Sequence, residues 1–229
     1  MTLDLSRIKA LCFDVDGTLS DTDDLWTAKL AGWLKPFRFL FPNHSPQRFA
    51  RWAIMAAESP GNLAYQALDW ARLDDDLARL FNWYARRRPR RAPHKFAIIP
   101  QVQETLLALH PRFPMSVVSA RDQATTLAFL DHFELRGLFQ SIATSQTCEY
   151  TKPYPHPILW AAGQMGVQPH EVLMIGDTTV DIRAGLAAGA QTVGVLCGFG
   201  DERELRRAGA HCVLQSTAQL SQIIAPPVE

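Results

Sequence analysis

Two acidic residues follow the first mainly apolar segment of this 229-residue chain at a spacing that could do chemistry. Residues 8–13 lead directly into the run DVDGT at positions 14–18. On an extended chain, carboxylates two residues apart point the same way, about 6.6 Å apart. Asp14 and Asp16 could therefore divide catalytic labour, one as nucleophile or metal ligand and the other as general acid and base. Acids that cap a turn or helix would give the same pattern.

A hydroxyl and an amine follow two later apolar segments. Ser119 comes directly after residues 115–118, and a hydroxyl beside backbone N–H groups at a helix N-terminus can bind phosphate oxygens. Lys152 follows residues 141–144, and a lysine against carboxylates would keep a nucleophile ionised and offset phosphate charge. Alone, the serine could be a simple N-cap or turn residue, and the lysine a solvated surface residue.

A second acidic pair, Asp177 and Asp181, follows the apolar residues 172–175. The spacing places Asp181 one helical turn beyond Asp177, on the same face. Hard oxygen ligands of this kind suit Mg²⁺, although acids here could also cap a helix and compensate its dipole. Since polar residues of the right kinds follow four strand-like segments in order, we predict one shared site.

The elements that must position these residues alternate between strands and helices. This rhythm predicts an α/β fold with a Rossmann-like parallel-sheet core, in which ligands bind beyond the carboxyl ends of the strands. The predicted strands are residues 8–13, 115–118, 141–144, 172–175, 192–196 and 212–214. The predicted helices are residues 101–110, 122–132, 156–165, 180–188, 201–207 and 217–224.

A segment without strand signals interrupts this rhythm. Residues 22–95 carry 13 Lys and Arg against 7 Asp and Glu, and their apolar residues recur at helical spacing. We therefore predict an α-helical cap domain, 22–95, inserted after the first strand of an α/β core formed by residues 1–21 and 96–229. The arginine-rich run 86–91 is interpreted as a solvated helix end and hinge, with a substrate-steering patch or nucleic-acid contact as alternatives.

Composition restricts the class of protein further. The chain has 23 Lys and Arg, 23 Asp and Glu, and 47% hydrophobic residues, which excludes wholesale disorder. Its apolar runs are far shorter than the ~20 residues that a membrane span needs. The first residues lack the pattern of a signal peptide. We predict a cytoplasmic protein, monomer or homodimer, with no membrane contact and no nucleic-acid partner.

Taken in order, these residues resemble the four motifs of the haloacid dehalogenase-like (HAD) hydrolase superfamily. The motifs are Asp14-x-Asp16-Gly17-Thr18, Ser119, Lys152 and Gly176-Asp177-x3-Asp181. The stretches KPYPHP and IGDTTVDIRAGLAAGA are similar to those of the phosphoglycolate phosphatase and β-phosphoglucomutase branch. The motif-bearing core covers about two thirds of the chain. This branch implies a helical cap after the first motif.

The resemblance implies a mechanism. Asp14 would attack phosphorus to form an aspartyl-phosphate, and Asp16 would protonate the leaving oxygen and then activate water. Ser119 and Lys152 would bind the phosphoryl oxygens. Mg²⁺ would be held by the Asp14 carboxylate, the Asp16 backbone carbonyl, Asp177 and, directly or through water, Asp181.

The second acid also separates functions within the superfamily, because dehalogenases typically lack an aspartate at the position of Asp16. We therefore predict a Mg²⁺-dependent phosphatase acting on a small phosphorylated metabolite, phosphoglycolate-like or a sugar phosphate. The alternatives are a phosphomutase of the β-phosphoglucomutase type, or a catalytically idle binding protein on the same scaffold. His156, at a position where this branch often has aspartate, makes phosphoglycolate itself a weaker prediction than the phosphatase class.

Overall fold

The parallel sheet predicted from the sequence is present. A computed structural model of the protein describes residues 2–21 and 96–224. These residues form a six-stranded sheet in the order β3-β2-β1-β4-β5-β6, and every neighbouring pair is parallel. The strands are β1 (Ala10–Phe13), β2 (Met115–Val118), β3 (Ser141–Ala143), β4 (Val172–Gly176), β5 (Gln191–Val195) and β6 (Cys212–Leu214).

Six α-helices follow strands or precede them among the described residues. They are α1 (Val102–Leu109), α2 (Gln123–His132), α3 (His156–Met165), α4 (Thr179–Ala187), α5 (Glu202–Ala208) and α6 (Leu220–Ile224). Each corresponds to a predicted helix, and the differences lie at the ends. The first turn of the predicted helix 217–224 is the 3-10 turn Thr217–Gln219. The first strand, predicted for residues 8–13, begins at Ala10, since the 3-10 turn Leu5–Arg7 lies just before it.

Helices cover both faces of the sheet, and β1 shows why its sequence is continuously apolar. Leu11 and Phe13 belong to the apolar cluster that includes residues of α1 and α2. Ala10 and Cys12 belong to the cluster that includes residues of α3 and α4. All four residues of β1 are fully buried, so no position of this strand faces water.

The strand order changes direction at β1. From β1 the chain proceeds outward to β2 and β3 on one side, and through β4, β5 and β6 on the other. The connections that leave the carboxyl ends of β1 and β4 therefore diverge, which opens a crevice where open α/β sheets bind their ligands. Asp14 and Asp177 directly follow these two strands.

The described residues on either side of segment 22–95 are neighbours in the core. Ser20 and Ile98 form an antiparallel bridge, and the Asp21 N–H donates to the Ala97 carbonyl at 3.0 Å. The helical cap predicted for residues 22–95, including the arginine run 86–91, lies outside the described residues and stays a prediction.

Candidate active site

A buried lysine joins two aspartates at the carboxyl ends of the central strands. The Nζ of Lys152 donates to Asp14 Oδ1 at 2.7 Å and to Asp181 Oδ1 at 2.6 Å. All three residues are buried, with Lys152 only 5% exposed. The Asp14 N–H donates to the Ile175 carbonyl of β4 at 2.9 Å, which fixes the backbone at this point. Lys152 is therefore not the solvated residue that its sequence position alone would suggest.

Asp177 adds a third carboxylate to this cluster. It is fully buried; its Oδ2 accepts the Phe199 N–H at 2.8 Å, and its Oδ1 accepts the Thr18 hydroxyl at 3.4 Å. One carboxylate oxygen each from Asp14, Asp177 and Asp181 lies within 4.8 Å of the others. Four of the predicted site residues are thus brought together.

The cluster contains three buried carboxyl groups, those of Asp14, Asp177 and Asp181, together with the ammonium of Lys152. Oxygen donors at this spacing suit a hard divalent cation, so the cluster can hold one.

Burial also changes the proton affinity of two of these groups. Removal from water raises the pKa of Asp14 from 3.8 to about 7, and the negative charges of Asp181 and Asp16 act in the same direction, whereas Lys152 opposes them. Burial would lower the pKa of Lys152, but the charges of Asp14 and Asp181 outweigh it and raise that pKa. The lysine is therefore a permanent cation, and a second cation beside Asp14 would favour its ionised form.

The two carboxylate oxygens of Asp181 have different hydrogen-bond partners. Its Oδ2 accepts hydrogen bonds from the N–H (3.1 Å) and hydroxyl (2.7 Å) of Thr178, which completes a capping box at the start of α4. Its Oδ1 binds Lys152. A Cβ at Gly176 would lie 2.6 Å from the capping oxygen, so only glycine lets this side chain fold back onto β4. Asp181 can therefore cap α4 and belong to the site at the same time.

Asp16 has a different partner from the other acids. Its Oδ2 accepts the Arg121 Nε–H at 2.6 Å, and its Oδ1 accepts a second hydrogen bond from Nη2 of the same guanidinium. The backbone turns after Asp14 instead of continuing as a strand: Gly17 has φ +69°, and its N–H donates to the Ser20 carbonyl at 2.9 Å. Arg121, in the loop that follows β2, thus holds the Asp16 carboxylate in place.

Ser119 is buried at the end of β2, and its N–H donates to the Ala143 carbonyl of β3 at 2.9 Å. Its hydroxyl accepts the Arg121 N–H at 3.1 Å. The N-cap of α2 is Asp122, so Ser119 is not the helix cap that a simpler interpretation assigns to it. The serine is linked to Asp16 through Arg121.

Sequence reasoning missed two contributors to this site. Arg121 stands two residues after Ser119, but nothing in its local sequence indicates a partner 105 residues away. Phe199 contacts Asp177 through the Phe199 backbone N–H, so the identity of the Phe199 side chain does not indicate this contact in the sequence. The neighbouring glycine does carry one: a Cβ at Gly198 would lie 2.6 Å from the Gly17 carbonyl oxygen.

The fold and this cluster define a class, an α/β enzyme whose polar site lies beyond the carboxyl ends of parallel strands. Residues 11–195 match the family described as haloacid dehalogenase-like hydrolase, and the chain belongs to that family. The predicted enzyme class, a phosphatase of this family, is confirmed.

Two relatives match nearly the whole chain. Pyrophosphatase PpaX of Bacillus pumilus is 28% identical over 223 residues, covering 96% of this chain and 97% of that protein. Phosphoglycolate phosphatase of Photorhabdus laumondii is 28% identical over 236 residues, covering 97% and 95%. The crystal structure of a HAD family hydrolase from Deinococcus radiodurans, with bound phosphate and sodium, is similar in fold, with a TM-score of 0.68, 24% identity and 96% of each chain covered.

The described residues contain no helix that is both long and apolar enough to cross a membrane.

Proposed function

We propose that the protein hydrolyses a small phosphate monoester, phosphoglycolate-like or a sugar phosphate, through an aspartyl-phosphate on Asp14. The observation that carries this proposal is the buried Asp14 carboxylate, hydrogen-bonded to Lys152 at 2.7 Å in the crevice between β1 and β4. The two named relatives support the substrate class, because pyrophosphate and phosphoglycolate are both small and strongly anionic.

The proposed reaction has two steps. In the first, an Asp14 oxygen attacks phosphorus as the bond to the leaving oxygen breaks, and Asp16 gives that oxygen a proton. In the second, Asp16 takes a proton from water, the water oxygen attacks phosphorus, and the bond to Asp14 breaks, so both aspartates return to their starting states. Lys152 and Ser119 would bind the phosphoryl oxygens, since in-line positioning and charge neutralisation dominate such transfers.

We propose Mg²⁺ as the divalent metal, held by the carboxylates of Asp14, Asp177 and Asp181 and by the backbone carbonyl of Asp16. When bound, it would offset the negative charge of the phosphoryl oxygens. The approach of one oxygen each from Asp14, Asp177 and Asp181 to within 4.8 Å of the others supports this assignment.

The deciding experiment measures phosphate release from p-nitrophenyl phosphate and from a panel of phosphoglycolate, pyrophosphate and sugar phosphates, with Mg²⁺ or with EDTA. We expect turnover by the wild type with Mg²⁺ only, and loss of about 10³-fold or more in Asp14→Asn. Asp201→Asn is the matched control, because Asp201 caps α5 on the surface.

Two results would contradict the proposal. Release of no phosphate from any ester would favour the idle binding protein. Negligible net release together with activation by a sugar bisphosphate would favour the phosphomutase. A cytoplasmic location and a monomeric or homodimeric state remain predictions, which fractionation and light scattering would test.

A further inference from the structure

Arg121 makes a two-pronged contact with Asp16, and this contact crosses between two strand ends. The arginine follows β2, whereas the aspartate follows β1. Its Nε and Nη2 each donate to a different oxygen of the carboxylate. Two parallel hydrogen bonds from a rigid planar fork fix both the position and the rotation of a carboxylate, which a single hydrogen bond does not.

Arg121 is itself fixed by its surroundings. Its N–H donates to the Ser119 hydroxyl at 3.1 Å, and its carbonyl accepts the Ser145 N–H at 2.9 Å. Its guanidinium lies 5.8 Å from the centre of the Phe129 ring of α2, within range of a cation–π contact. Only 14% of its side chain is exposed, against 37% for Asp16. The anchored partner in this pair is therefore the arginine.

The guanidinium serves Asp16 almost exclusively. Its third nitrogen, Nη1, is buried and has no hydrogen-bond partner among the described residues. The hydrogen bonds that its side chain donates within this part of the protein therefore all reach one carboxylate. Each carboxylate oxygen has two lone pairs, so the fork still leaves a position on each oxygen for a proton.

We propose that Arg121 is a positioning residue that holds the Asp16 carboxyl group where it exchanges a proton with the leaving oxygen and with water. This inference rests on the proposed function, in which Asp16 is the general acid and base. A general acid works only within hydrogen-bond distance of the atom that it protonates, and misplacement by about 1 Å can reduce a rate about 100-fold.

The experiment compares two substrates that differ in their need for an acid. The leaving group of p-nitrophenyl phosphate is a stable phenolate, whereas an alkyl phosphate such as phosphoglycolate or a sugar phosphate expels an alkoxide that must be protonated. In Arg121→Lys, which keeps the charge but loses the planar fork, we expect kcat/KM, which reports the steps up to departure of the leaving group, to fall about 10- to 100-fold for the best alkyl substrate and less than about 5-fold for the aryl ester. Because Asp16 also activates water in the second step, kcat should fall for both esters.

Arg136→Lys is the matched control, because Arg136 pairs with Asp131 on the exposed end of α2 at 3.3 Å. Its activity on both esters should equal that of the wild type. Thermal unfolding of each variant checks folding, and added guanidinium should restore part of the alkyl-phosphate activity of Arg121→Ala if the lost group acts locally.

A double mutant separates this inference from a merely structural role. Because Arg121 acts through Asp16, adding Arg121→Lys to Asp16→Asn should cost no further activity on p-nitrophenyl phosphate. Equal losses of kcat/KM on both esters, or losses that multiply in the double mutant, would overturn the inference while leaving the phosphatase proposal intact. A wild type without turnover on any ester would instead remove the reaction in which Asp16 acts, and both proposals with it.

Discussion

Lys152 is the single residue on which the buried cluster depends most. It is the one described cation in hydrogen-bond contact with Asp14 and Asp181, and both acids are buried. A buried ion pair adds little net stability while it is complete, because desolvation offsets the attraction. Breaking it is costly, because the remaining charges stay buried without a partner. Lys152 should thus be hard to replace even where no substrate is bound.

Lys152→Met tests this dependence. We expect the free energy of unfolding in EDTA to fall by about 3–5 kcal/mol, because the methionine leaves the buried carboxylates without a cation. Denaturant unfolding measures the change, and phosphatase activity should fall at least 100-fold. In the control Lys9→Met, the loss should be at most about 1 kcal/mol, since the pair of Lys9 with Glu171 is exposed. A similar small loss in both variants would contradict the prediction.

Asp14 should make the stability of the metal-free protein depend on pH. Its pKa is about 7 in the folded chain and 3.8 without burial, so between these values the folded state keeps a proton that the unfolded state has lost. The contribution of this group is therefore fully present below about pH 4 and is lost as the pH rises through about 7.

Asp14→Asn removes that dependence. In EDTA at pH 8 we expect the variant to unfold roughly 5 °C above the wild type, with the difference vanishing towards pH 4. With saturating Mg²⁺ the order should reverse, because only the wild type gains the full binding energy. Calorimetry at several pH values measures both effects, and a pH-independent difference would show that burial of this carboxyl group is not its cause.

Among individual residues, the sequence predicts the acids and the lysine of the site but not which of them pair. Asp14, Lys152, Asp177 and Asp181 come together because each follows a strand, and the carboxyl ends of parallel strands share one edge. The pairing of Asp16 with Arg121 could not be predicted, because it depends on the direction of two side chains from separate loops. No periodicity or spacing in the sequence records such directions.

Strands and helices are predicted more completely than the loops between them. The strand β2, the helix α3 and the strand β6 have the predicted bounds. Pro114 precedes β2, Pro155 and Gly166 flank α3, and β6 is a short apolar run between two polar residues. The connection after β5 was not expected to take part, yet it supplies the Phe199 N–H to Asp177. This contact depends on how closely two loop backbones approach each other, and in the sequence only the glycines indicate such an approach.

Gly198→Ala tests that close approach. The new Cβ would lie 2.6 Å from the Gly17 carbonyl oxygen and would also collide with the Asp177 carboxylate. We expect Mg²⁺ affinity and kcat each to fall at least 10-fold, because Asp177 must move. The control Gly163→Ala lies in α3 with nothing within 4 Å of the new Cβ, and should stabilise the protein by about 0.5–1 kcal/mol. Isothermal titration with Mg²⁺ and enzyme assays of both variants decide the outcome.

For the whole molecule, metal binding and folding should be linked, because the cluster draws on the ends of β1 and β4 and the start of α4. A cation bound only by the folded state at 100 times its dissociation constant stabilises that state by about 2.7 kcal/mol. For a chain of this size, EDTA should therefore lower the melting temperature by roughly 5–10 °C. Asp177→Asn should show a much smaller difference between Mg²⁺ and EDTA. An equal response would place the metal elsewhere.

The pairing of Ser20 with Ile98 and of Asp21 with Ala97 has a consequence for the history and engineering of this chain. Residues 22–95 begin and end at points that are hydrogen-bonded neighbours, so a short linker could join those points without disturbing the sheet. The described core can therefore accept segments of different length between these two points. If residues 22–95 form the predicted cap and contact the substrate, replacing them would change substrate preference and leave the acids and the lysine at the strand ends unchanged.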